Sequence, residues 1–149
     1  MPSYLNTEPD LDEHESILEE YPSESYLVRR DDPEGSVPTV QFHTPARPII
    51  EFDDEDRARL FADLYLALGG FRIKEGVGPN GVPVTVASSG KSAIASYMYS
   101  AWGKTPTEIA KTLEQDRERV LDHFEQIRSR ADDVVAEADD ADSPPGEAG

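Results

Sequence analysis

Three groups of residues in this 149-residue chain have types and spacings that could do chemistry. Gly90-Lys91-Ser92 follows the β-prone run "VPVTVA" and has the ending of a phosphate loop, in which backbone amides and a lysine cradle phosphate oxygens. The first glycine of that loop belongs at position 85, which is Thr85, so Ser88 or Ser89 reads better as the cap of a following helix. Asp53-Asp54-Glu55-Asp56 offers paired carboxylates suited to a divalent ion or to proton transfer. Acids that open a helix also match its positive end, and that reading is the simpler one. The third group is the stretch "TPTEIAKTLEQDRERVLDHFEQI" from Thr105 to Ile127, an amphipathic helix, a short break and a second amphipathic helix, the arrangement by which many proteins bring a helix to DNA.

Composition removes other chemistry. Without cysteine there is no disulfide framework, thiolate zinc site or thiol nucleophile, and His14, His43 and His123 fall in no metal-ligand spacing. The start "MPSYLNTEPDLDEHE" lacks the basic and apolar stretches of a signal peptide, and no apolar run approaches the roughly 18 residues of a membrane span. A cytoplasmic protein with no membrane partner is expected. No catalytic constellation, cofactor motif or small-molecule site is read, so the expectation is a non-enzyme.

The formal charge is −17, and it is unevenly spread. Residues 1–22 and 132–149 each hold seven acids and no Lys or Arg, which leaves the middle of the chain close to balanced. Arg outnumbers Lys, and this usage is similar to that of proteins from salt-loving archaea. In molar salt the Debye length falls to about 3 Å, so dense carboxylates cease to repel at range and serve solubility.

The elements that must position the third group are legible in outline. Residues 1–23 read as an acidic disordered arm. "YLVRR" and "VPTVQFHT" flank the turn formers "DDPEGS" and predict a hairpin whose second strand starts after Pro38. "FDDEDRARLFADLYLALGG" predicts a helix capped by Asp53, with a stripe of Phe61, Leu64, Tyr65 and Leu68 for the core or a homodimer contact. "FRIKE" and "VPVTVA" predict a second hairpin. Helices follow at 91–102, 106–114 and 117–131, the middle one opened by Thr105-Pro106 with a capping box to Glu108. Residues 132–149 read as a frayed end and an acidic disordered tail.

From Ile94 to Ile127 the chain resembles the helix-turn-helix shared by LuxR-type output domains and region 4 of sigma factors. Gly103, Thr105, Glu108-Ile109-Ala110, Leu113, Val120, His123 and Ile127 match in register. Gln115 departs from the aliphatic residue usual in the turn, and Leu121 is apolar on a face normally polar. The resemblance implies a scaffold helix from Thr107 to Leu113 and a recognition helix from Arg117, with its first residues at base edges. The site residues it implies are Lys104, Thr105, Thr107, Lys111, Arg117, Arg119, Asp122 and Gln126.

The expected protein is therefore α+β: a hairpin-helix-hairpin unit at 24–87 followed by a helix-turn-helix at 88–131, between acidic tails. Its expected role is sequence-specific binding of double-stranded DNA, as a homodimer, in transcription regulation in a halophilic archaeon, its plasmid or its virus. The alternative is a protein-protein adaptor in which Leu121, Phe124 and the acidic third helix meet a partner.

Overall fold

A computed structural model of the chain describes residues 13–22, 25–31, 34, 37–44, 49–69 and 82–141. The strands are β1 (Glu15–Tyr21), β2 (Ser25–Arg30), β3 (Thr39–His43) and β4 (Ile50–Phe52); the helices are α1 (Glu55–Ala67), α2 (Val84–Ser88), α3 (Lys91–Ser100), α4 (Pro106–Leu113) and α5 (Arg117–Ala141). The α+β class expected from the sequence is what is found.

The strands form an antiparallel meander in the order β1-β2-β3-β4. Leu27 lies opposite Phe42 and Val40 opposite Phe52, so the apolar side chains of three strands share one face. The predicted hairpin is present as β2–β3, and β3 begins at Thr39, after the proline that cannot donate to a ladder. Against the sheet's apolar face lies α1, whose Leu60, Phe61 and Leu64 are buried while Tyr65 and Leu68 pack half-buried on the same core. That stripe is internal. Phe61 joins the layers, with ring centroids 5.8 Å from Phe42, 5.5 Å from Phe52 and 6.3 Å from Tyr97 of α3.

Several sequence expectations are corrected. Residues 15–21 are a strand paired to β2 through a bulge between Ile17 and Glu19, not part of a disordered arm. Their acids hid this because the strand is an edge with one buried anchor, Tyr21, and Glu19 reaches Arg59 of α1 at 3.5 Å. The second hairpin is overturned in its second strand, for Val84–Ser88 is the helix α2; "FRIKE" lies outside the described residues. Pro83 supplies a φ of −55° before the helix, and Ser88 and Ser89 bond back to the carbonyls of Val84 and Thr85, so context overrides the β-branched run. Those serines therefore do not cap α3, whose cap position is Gly90 and which has no side-chain cap. Finally, α5 continues to Ala141 where a disordered tail was expected after 131. Ala131 is buried, and Val134 and Val135 pack on the core, so tertiary contact holds a stretch whose own composition is helix-weak.

The acids at the start of α1 have structural partners. Asp54, not Asp53, caps the helix by accepting from the Asp56 amide at 2.8 Å; Asp53 pairs with Arg57 at 3.0 Å and Glu55 with Arg59 at 2.9 Å.

Candidate nucleic-acid interface

The local sequence dictates α4 closely. Thr105 accepts from the Glu108 amide at 3.2 Å while the Glu108 carboxylate accepts from the Thr105 amide at 3.1 Å, completing the capping box, with Pro106 in the first turn. These bonds favour the ionised carboxylate and hold Glu108 below the usual glutamate range. Before the helix, Gly103 has φ +70°, and the guanidinium of Arg57 lies 3.2 Å from where a Cβ would stand. Arg57 also donates to the Tyr99 carbonyl at 3.2 Å, which ties the end of α3 to α1. The glycine of the motif thus answers to both a left-handed backbone and a close side chain.

At its other end α4 closes in a Schellman turn. Gln115 N donates to Ala110 O at 2.9 Å and Glu114 N to Lys111 O at 3.3 Å, with Glu114 left-handed at φ 54°. Asp116 O then accepts from the amides of Arg119 and Val120 to start α5. Ile109, Ala110, Val120, Phe124 and Ile127 are buried between α3, α4 and α5.

Outside that seam stand the residues expected to meet a ligand. Thr105, Thr107, Lys111, Arg117, Arg119, Asp122 and Gln126 are exposed and Lys104 is half-buried. Thr107, Lys111 and Arg117 are brought together with Ala110, Glu114, Gln115 and Asp116 around an open hollow of about 600 Å³ at the α4–α5 turn. Thr105 has its hydroxyl engaged in the cap. Gln126 is set apart: its amide oxygen is a partner of the Ser92 hydroxyl on α3. For the adaptor, Phe124 lies in the core against Tyr99, 5.0 Å between centroids, and of that pair Leu121 alone is exposed.

Sequence reasoning missed one group of residues altogether. The ring of His123 is nearly enclosed, with Nδ1 2.9 Å from Ser92 Oγ and Nε2 2.8 Å from Gln115 Oε1. Gln115 is thus the partner that keeps a buried imidazole satisfied. Burial, followed by the nearby Arg119, lowers the His123 pKa, so the ring is neutral at neutral pH. The sequence signal was the pairing of a polar residue in the turn with a histidine on the apolar stripe eight positions later.

A second polar cluster lies on the far half of α5. Asp63 of α1 has its carboxyl pushed up to about 7 by burial and by Asp132, against the pull of Arg128 and Arg59.

No family model, curated protein or solved structure matches the chain.

Proposed function

We propose that the chain is a sequence-specific DNA-binding protein acting in transcription regulation, with α4 as scaffold and the first turns of α5 as reading head. One observation carries this reading: the apolar and polar positions of α4 and α5 separate into a buried seam and an exposed face. That face gathers Thr107, Lys111 and Arg117 about the turn and continues into Arg119 and Asp122. Such a face can insert into a major groove while its flanking lysines and threonines meet phosphates. Residues 104–131 carry six bases and six acids, so the head is neutral, and its affinity rests more on shape and base-edge bonds than on counterion release.

The test is binding of the full chain to duplex fragments from its own gene neighbourhood, from low salt to molar potassium chloride. Arg117→Ala and Arg119→Ala should each weaken binding by about tenfold or more. Absence of binding at every salt would overturn the proposal, and binding indifferent to both substitutions would move the site off α5.

A further inference from the structure

With the Gln115 and Gln126 amides oriented as they stand, the hydrogens around His123 do not suffice for every acceptor at once. Gln115 presents its amide oxygen to Nε2, so that nitrogen carries the ring's hydrogen and, in the neutral ring, Nδ1 is a bare lone pair. Nδ1 then takes the single hydroxyl hydrogen of Ser92. Ser92 Oγ also stands within bonding distance of Gln126 Oε1, a second acceptor that the same hydrogen cannot serve. A second proton on the ring resolves the conflict. Nδ1–H donates to Ser92 Oγ, and the hydroxyl hydrogen turns to Gln126.

We propose that His123 and Ser92 form a proton-controlled latch on Gln126, closed on its amide oxygen when the ring is protonated and releasing that oxygen when the ring is neutral. The groups facing the ring bracket the transition. Arg119 on α5 and Lys91 on α3 oppose the proton, Asp122 and Gln126 on α5 favour it, and Gln115 approaches from the α4–α5 turn. Burial is the largest opposition, so the latch is open at neutral pH and closes as pH falls through the lowered His123 midpoint. The consequence rests on the DNA-binding reading: glutamine recognises adenine with its oxygen and its amide together, and a closed latch occupies the oxygen. Acid would therefore erase one adenine preference while leaving the contacts of Arg117 in place.

Two measurements on the full chain keep the latch and the DNA reading separable. In the first, heteronuclear NMR follows the His123 ring nitrogens and the Gln126 side-chain amide between about pH 5 and 8. The neutral ring should carry its proton on Nε2, and the Gln126 amide should shift with the His123 midpoint. That response should shrink in Ser92→Ala, a small change in the first turn of α3, to what Gln126 senses of the ring directly. A Gln126 amide that ignores the His123 titration, one that follows it undiminished in Ser92→Ala, or a neutral ring protonated on Nδ1 would each overturn the latch. In the second, binding to randomised duplexes should show an adenine preference of about tenfold at one position near pH 8 that fades as pH falls through the His123 midpoint found by NMR, and persists on both sides of that midpoint in Ser92→Ala. A preference unchanged by pH in the parent protein would overturn the latch's control of base reading. No DNA binding at either pH would count against the proposed function alone, with the NMR result still deciding the latch.

Discussion

The two halves of α5 each draw a titratable group out of water, and they do so for opposite charges. In the first half His123 is turned inward between Ser92 and Gln115; in the second, Arg128 and Asp132 lie over Asp63 of α1. Burial drives both groups toward their neutral forms, lowering the imidazole and raising the carboxyl. Their effects on stability run in opposite directions with pH. The depressed His123 contributes stability that is present above its unfolded value of 6.5 and lost as pH falls through the lower folded value. The raised Asp63 contributes stability that is complete below its unfolded value of 3.8 and lost as pH rises through about 7. In a chain of net charge −17, burial along this helix thus favours the neutral forms, and a fall in pH trades the His123 contribution for that of Asp63.

The strongest way to break this comparison is to remove what joins the halves. Ile127 is fully buried between them, and Ile127→Ala should destabilise the protein by about 2–5 kcal/mol, in a single transition seen alike by far-UV circular dichroism and aromatic fluorescence. Two separate transitions would show that the halves are independent. Next in size, Asp63→Asn removes a carboxyl that must ionise in a half-buried site. It should stabilise by roughly 1–3 kcal/mol at pH 8 and have little effect near pH 4, measured by denaturant unfolding at both pH values. A gain that is the same at both would refute the shifted carboxyl. In the first half, Gln115→Leu leaves the His123 Nε2–H without its acceptor. About 1 kcal/mol of stability should be lost, with the ring titrating lower still by NMR. The smallest effect is at Glu114, whose left-handed backbone suits glycine, so Glu114→Gly should raise stability by up to about 1 kcal/mol. A loss there would mean that the Glu114 side chain has a role in the turn.

What was legible in the sequence follows from how far apart the deciding atoms are. The capping box of α4 is read from residues three apart, the β2–β3 hairpin from its turn formers, and the buried seam of α3, α4 and α5 from helical period. The strand β1 was hidden because it is an edge with a single fully buried residue, Tyr21, and three of its seven residues are acids. The run of valines at α2 carried a β signal that Pro83 and the serine back-bonds overrode. At the candidate site the exposure of Thr107, Lys111, Arg117, Arg119 and Asp122 was legible from the helical wheel. The engagement of Gln126 by Ser92, 34 residues away, was not.

By itself the sequence determined the α+β class, the helix ends of α4, the hairpin at the centre of the sheet and which side chains of α4 face outward, because caps, turns and periodicity act within a few residues. Only the tertiary structure decided that residues 15–21 join the sheet, that α5 runs to Ala141 on α1, and that the stripe of Phe61 and Leu64 is an internal core. It alone brought Ser92, Gln115 and His123 together, 31 and eight residues apart along the chain. Such contacts depend on how separate elements pack, and buried polar groups choose their partners only after that packing is set.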